Sequence, residues 1–401
     1  MMDFLSSFSL PSLDVDILPR WYLAAFFVSG YVIYYICEVA KVPQLVCAPG
    51  EFCSFLEVNV PILKERFWPT IWCVESRAQT IIANIFRERL LQQVTYHREV
   101  LDMADGGIVA LDWLDEGCSA SAPVLLILPG LTGSSQAEYI RCLVKAANRS
   151  GFRTVVFNNR GLGGVQLKTP RLYNACSGDD LAEVIKHVKG KHPNVPLAAT
   201  GISMGGLVLG NYISRRGKSV RSQLVAAMLI SVPWDLFKAC ESIEKPGLNM
   251  MLNKHLADLL CKTLKKQNHL DWGNLDETFK SRTIREFDSN FTCKAFGYSD
   301  TNEYYTDATL HTKLHQFQIP TLCLSAADDP FQPLKALPLD EFKKCKNIAA
   351  IVTARGGHIG FMEGILPPSY QGKDDYMDRI LCQYFSAIFR DAGKIMDKLD
   401  T

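Results

Sequence analysis

Leu197-Ala198-Ala199-Thr200-Gly201-Ile202-Ser203-Met204-Gly205-Gly206 decides how this chain is read. A small apolar run reaches Gly201, Ser203 stands between two glycines, and the helical pattern Leu207-Val208-Leu209-Gly210-Asn211-Tyr212-Ile213 follows. This is G-x-S-x-G in the setting that gives it meaning: a buried strand, a sharp turn, then a helix. Such a turn strains the serine backbone and exposes its hydroxyl at the carboxyl end of the strand. Gly201 and Gly205 leave room for strand and helix to approach closely. The motif alone also fits an ordinary glycine-rich turn, so its weight depends on partners elsewhere in the chain.

Outward from that turn, apolar strand patterns alternate with helical ones. On the N-terminal side the Ala104-Asp105-Gly106-Gly107 turn joins two strands as a hairpin. Then come the strand Val124–Leu128, a helix near 137–150, the strand Thr154–Phe157 and a helix near 179–189. On the C-terminal side the strands Ala226–Ser231, Thr321–Ser325 and Ala349–Thr353 are followed by a final helix near 374–391. Strands apolar on both faces and separated by helices imply a parallel sheet covered on both sides. The alternation breaks from about 233 to 312, where mostly polar helical segments read as an inserted lid. The expectation is an α/β fold with a mostly parallel eight-stranded sheet over 96–393.

A serine nucleophile needs a base in hydrogen-bond reach, and the base needs an acid to fix its tautomer. On such a sheet the order should be serine, acid, histidine. Ala326-Ala327-Asp328-Asp329-Pro330 follows the next-to-last strand, and Gly356-Gly357-His358-Ile359-Gly360 follows the last. His358 is the only histidine beyond those aspartates. Either Asp328 or Asp329 can aim at it, but not both, because neighbours leaving a strand point opposite ways. The oxyanion donors should be the N–H of Met204, after the nucleophile, and one from Pro129-Gly130-Leu131-Thr132-Gly133, with Leu131 favoured. That loop lacks the phosphate-cradling pattern of a P-loop.

The 401 residues carry a formal net charge of +1, with no basic stripe or acidic tail, which argues against a nucleic-acid partner. Thirteen cysteines are scattered without C-x-x-C pairs or metal-ligand spacing, so no metal or cofactor is expected. Most should be small apolar core residues rather than a disulfide framework. Near the N-terminus, Trp21 to Cys37 is uncharged and just long enough to span a bilayer, with aromatic residues at both ends. A signal peptide or a buried core helix would be the rival readings. A basic start and a small-x-small cleavage site are not evident, and an uncleaved anchor over 21–40 is favoured. Flanking charge, Arg20 against Lys41, does not orient it. Residues 1–20 and 394–401 read as tails. The segment 41–95, rich in Pro, Phe and Trp and without clear periodicity, reads as a collar packed on the main domain, or else as an aromatic face against lipid headgroups.

With these residues assembled, the chain closely resembles the membrane-anchored α/β-hydrolase-domain lipases and esterases, the AB hydrolase 4 family, and its phospholipase-like members most. The matching motifs are Pro43-Gln44-Leu45-Val46, Phe67-Trp68-Pro69-Thr70 before Trp72-Cys73, and Leu128-Pro129-Gly130-Leu131-Thr132-Gly133. Val156-Phe157-Asn158-Asn159-Arg160-Gly161, Ile284-Arg285-Glu286-Phe287-Asp288 and the segments around Ser203 and His358 complete them. The resemblance implies a Ser203, Asp329, His358 triad, because in these hydrolases the acid typically precedes a proline by four residues, as Asp329 precedes Pro333. It also implies hydrolysis of lipid esters, with glycerophospholipids such as phosphatidylcholine with short or medium acyl chains as the expected substrates. Relatives act on monoacylglycerols or make medium-chain esters, so acyl transfer is the alternative, and a catalytically silent membrane scaffold a remote one. His358 and Glu363 mimic the spacing of an H-x₄-D acyltransferase signature, which is read as chance. No obligate protein partner is implied. By resemblance the N-terminus is cytoplasmic and the hydrolase domain lumenal, in an endomembrane such as the endoplasmic reticulum. The sequons at Asn148 and Asn290 would then meet the glycosylation machinery.

Overall fold

A computed structural model describes residues 20–365 and 373–399. The N-terminal tail, but for Arg20, lies outside the described residues, as do 400 and 401. Strands β1 (Gln44–Val46), β2 (His97–Asp102), β3 (Ile108–Leu114), β4 (Val124–Leu128), β5 (Arg153–Asn158), β6 (Leu197–Ile202), β7 (Ala227–Ile230), β8 (Thr321–Ala326) and β9 (Ile348–Thr353) form one sheet. Its order is β1-β9-β8-β7-β6-β4-β5-β3-β2. From β5 across to β9 every pairing is parallel; the β2–β3 and β3–β5 pairings at one edge and the β1–β9 pairing at the other are antiparallel.

The sheet therefore has nine strands, not the eight expected. The ninth is β1, whose Gln44, Leu45 and Val46 pair with Val352, Ile351 and Ala350. Three residues are too few to show a period of two, and only the pairing with β9 makes them a strand.

The helices are α1 (Arg20–Tyr34), α2 (Glu51–Asn59), α3 (Ser76–Leu90), α4 (Glu138–Arg149), α5 (Asp179–Lys191), α6 (Met204–Arg216), α7 (Leu236–Ile243) and α8 (Leu248–Lys265), with shorter turns between them and a last helix, Tyr376–Leu399. The last helix breaks at Asp391 (φ −120°, ψ 19°), and a further helical stretch reaches Leu399 where a tail was expected. Apolar layers cover both faces of the sheet: α5 and α6 on one, and α4, α2 and the last helix on the other. Full burial of β4 on both faces explains why Val124–Leu128 is continuously apolar. The inserted segment contributes α7, α8 and a smaller apolar cluster in which Leu260, Leu264, Phe287 and Phe291 meet Leu167 and Leu172.

Segment 41–95 packs on the domain. Phe52, Leu56, Ile62 and Phe67 join the core beside the last helix, with the Phe67 ring 4.2 Å from that of Tyr376. Each such side chain contributes about 1.5–3 kcal/mol on burial. Cys47 and Cys53 form a disulfide within this segment. Of the eleven other cysteines, eight are buried, as small apolar residues would be. The side-chain amides of both sequon asparagines are occupied: Asn148 donates to the Glu116 carbonyl at 3.2 Å, and Asn290 to Ser281 Oγ at 3.2 Å. Both lie in helical segments and are half-buried.

One described helix, Trp21–Val39, is long and apolar enough to cross a membrane. Its C-terminal part is built into the protein. Tyr35, Val39 and Ala40 are buried, and Arg66 donates to the carbonyls of Ile36 and Ala40. An anchor boundary at 40 thus cuts through packed structure.

Candidate active site

Ser203 leaves β6 with φ 52° and ψ −116°, in the left-handed half of backbone space that a non-glycine residue enters only under constraint. Its N–H donates to the Ile230 carbonyl at 2.8 Å, and its carbonyl accepts from Gly206 and Leu207 in the first turn of α6. The turn is possible only with glycine on either side. A Cβ on Gly201 would lie 2.5 Å from the Gly205 carbonyl oxygen, and one on Gly205 would lie 2.2 Å from that of Leu128.

Three strand ends bring the polar groups together. His358 Nδ1, beyond β9, lies 2.9 Å from Asp329 Oδ2, beyond β8. An ionised carboxylate only accepts, so the ring proton belongs on Nδ1. Nε2 is then the acceptor for Ser203 Oγ–H, also at 2.9 Å. The other oxygen of Asp329 accepts from the N–H groups of Phe331 (2.8 Å) and Gln332 (3.2 Å), which fixes the carboxylate. The Phe331 ring lies against the imidazole at 4.2 Å. Asp328 points elsewhere, and its Oδ1 accepts from the Gly357 N–H at 3.0 Å. Burial pushes the Asp328 carboxyl up to about 6, against the pull of that N–H and of Arg355.

Met204 is the first residue of α6, so its N–H has no acceptor within the helix. In the loop after β4, the flanking amides are taken: Gly130 N–H donates to Tyr139 Oη (2.8 Å) and Thr132 N–H to Tyr173 Oη (3.0 Å). Both tyrosines are held neutral by burial. Leu131 lies between them and, like Met204, lines the cavity that holds Ser203 and His358.

The His358 loop is braced by residues that the sequence did not single out. Its N–H donates to Thr80 Oγ1 at 2.9 Å, and Arg87 donates to the carbonyls of Ile359 (2.9 Å) and Gly360 (2.7 Å) while paired with buried Asp375. A Cβ on Gly357 would lie 2.3 Å from the Ser76 carbonyl oxygen. All three of Ser76, Thr80 and Arg87 belong to α3. Nothing in the local pattern of α3 signals this, since the contacts span some 280 positions of chain. Glu363 is engaged in a two-pronged pair with Arg379 (2.7 and 2.9 Å), which is a structural use of the residue.

The cavity has a volume of about 630 Å³ and is walled mostly by apolar side chains of α3, α8 and the inserted segment. One wall residue is a buried carboxyl. Asp288 sits in a π-helical turn and accepts from Thr292 Oγ1 (2.7 Å) and Tyr305 Oη (3.0 Å). Burial raises its carboxyl to about 6, partly offset by those two hydroxyls.

A strained serine on a strand-to-helix turn, with histidine and carboxylate from later strand ends, defines an α/β-hydrolase site. The chain belongs to the α/β hydrolase fold family, whose model matches residues 123–365. It is 40% identical over 370 residues to "Phospholipase ABHD3" of Mus musculus, covering 90% of this chain and 88% of that protein. It is 24% identical over 367 residues to "Monoacylglycerol lipase ABHD2" of Bos taurus, covering 86% and 85%. Among solved structures it resembles the Pyrococcus furiosus esterase Pf2001, at 15% identity and TM-score 0.47 over 73% of this chain and 92% of that one.

Proposed function

We propose that this chain is a serine hydrolase that cleaves acyl esters of membrane lipids, most specifically a phospholipase acting on glycerophospholipids such as phosphatidylcholine with short or medium acyl chains. The observation that carries this is the unbroken relay Ser203–His358–Asp329 at the wall of an apolar cavity. The relatives named phospholipase and monoacylglycerol lipase support a lipid ester as substrate.

In this reading Ser203 Oγ attacks the acyl carbonyl as His358 Nε2 takes its proton. The Leu131 and Met204 N–H groups receive the developing oxyanion, and removing one such donor typically costs about 10²–10³ in rate. His358 then protonates the departing alkoxide of the lysolipid. A water, deprotonated by the same nitrogen, releases the acyl group. Asp329 holds the tautomer and stabilises the imidazolium. With Glu363 tied to Arg379, the acyltransferase-like spacing supplies no group to the site, which favours water as acceptor.

Trp21–Val39 anchors the enzyme in its substrate's own bilayer, with the N-terminus cytoplasmic and the domain in the lumen of an endomembrane such as the endoplasmic reticulum. The Cys47–Cys53 disulfide supports that side, since such bonds persist in oxidising compartments. Membrane fractions carrying the wild type should be labelled by a fluorophosphonate and show depleted short- and medium-chain phosphatidylcholine relative to Ser203→Ala. Unchanged lipid profiles alongside good labelling would redirect the search to other esters. Digestion of the domain by protease in sealed microsomes would reverse the orientation.

A further inference from the structure

At 1.5 Å per residue the 19 residues of Trp21–Val39 extend about 28 Å, close to the ~30 Å of bilayer hydrocarbon. Only part of that length stands clear of the folded domain. The Tyr31 hydroxyl donates to the Ile71 carbonyl and that of Tyr35 to the Pro69 carbonyl. From Trp21 to Tyr31 the helix climbs only about 15 Å. A domain fastened at that height cannot stand outside a hydrocarbon layer about twice as thick.

On the face of the upper half of the helix away from Arg355, which donates to Tyr34 Oη at 2.8 Å, the surroundings suit that position. Phe67-Trp68-Pro69-Thr70-Ile71-Trp72-Cys73-Val74 carries no charge. Trp68, Ile71 and Trp72 are 48, 38 and 47% exposed, and the adjoining Ile365 is 74% exposed. An irregular loop enters hydrocarbon only if its backbone polar groups are paired within the protein. Here many are. Thr70 N–H donates to the Met362 carbonyl, Cys73 N–H to that of Thr70, and Gly364 N–H to that of Trp68. The carbonyls of Pro69 and Ile71 take the two tyrosine hydroxyls, and that of Ile365 takes Trp72 Nε1–H at 2.7 Å. Charges return at the ends of the stretch, with Glu65 and Arg66 before it and Glu75 after.

We propose that the loop 67–74, together with Ile365, is a second membrane element, a wedge that enters the leaflet beside the anchor on the side of the hydrolase domain. Its occupant is lipid acyl chain, and the inference rests on the reading that Trp21–Val39 spans the bilayer. The wedge leads directly into α3, which Arg77 ties to α8 through Asn249 Oδ1 at 2.7 Å. Across that junction Ile81, Leu248 and Met251 line the Ser203 cavity, and Leu248 and Met251 remain exposed. The wedge thus lies next to the apolar rim of the cavity, with the Glu75–Arg77 pair between them.

The test uses the full chain in phosphatidylcholine vesicles whose acyl chains are brominated near either the glycerol or the methyl end. Subtracting the emission of Trp72→Phe and of Trp21→Phe from wild type isolates each indole. Both components should be quenched by bromine and shielded from aqueous iodide. A Trp72 component open to iodide and blind to bromine, with Trp21 quenched, would overturn the wedge and leave the anchor standing. If neither were quenched, the spanning reading would fail and the wedge with it. In activity, an acidic group in hydrocarbon shifts partitioning by about a hundredfold. Ile71→Asp/Ile365→Asp should therefore keep fluorophosphonate labelling and soluble-ester turnover, yet lose about tenfold or more on vesicles. Full vesicle turnover in that variant would also overturn the proposal.

Discussion

The Ser203 turn and the segment 41–95 meet at the same site by opposite routes. Around Ser203 the requirements can be read from the motif itself. Gly201 makes way for the backbone of Gly205, four residues on, Gly205 makes way for the neighbouring strand end at Leu128, and the strained φ of the serine belongs to the turn between them. Segment 41–95 shows no such local logic. It nonetheless supplies an edge strand, part of one side of the core, and α3, whose Thr80 and Arg87 hold the His358 loop. Chemistry is written where the backbone must bend sharply, whereas support is written as surface complementarity between distant segments.

The comparison can be sharpened first on the acid. Asp329→Asn should leave the fold intact and lower kcat by about 10⁴, because the amide favours the wrong histidine tautomer. Asp328→Asn should cost little, since Asn Oδ1 still accepts from Gly357 N–H and the carboxyl it replaces is already pushed towards neutrality. Steady-state kinetics on a soluble ester decides between them, and the reverse ranking would make Asp328 the acid.

A smaller effect tests the bracing by α3. Thr80→Val keeps shape but leaves the His358 N–H without an acceptor, a loss worth about 1–3 kcal/mol. If that strain reaches the imidazole, kcat should fall about tenfold with KM and circular dichroism nearly unchanged. An unchanged kcat would reduce α3 to a spacer and break the comparison.

The last test is on stability rather than rate and isolates the lid. The folded-state value of Asp288 is raised to about 6 from 3.8, so its contribution is fully present below about pH 4 and is lost as pH rises through 6. Asp288→Asn removes that dependence. Thermal melts should show the variant gaining on wild type by up to about 3 kcal/mol between pH 4 and pH 8. A difference that does not change with pH would mean the carboxyl is not desolvated as its burial indicates.

Fold class was legible because β4, β6 and β8 are buried on both faces, and burial on both faces demands unbroken apolar sequence. The succession of Ser203, the two aspartates and His358 could be read for a related reason: each follows a strand, and such sheets gather polar groups at strand ends. Other features had no sequence signature. Three residues of β1 cannot display a period, and the tyrosines that flank Leu131 look like any aromatic residues near a helix. Whether Asp328 or Asp329 reaches the imidazole depends on a bend after β8, which residue types alone do not specify. The apolar span was likewise plain from composition, but that its upper half is fastened to Pro69 and Ile71 emerges only in three dimensions. Periodicity and turn chemistry are properties of neighbours along the chain, so sequence determines them. Bracing, register and depth depend on which distant surfaces meet, and that is decided by tertiary packing.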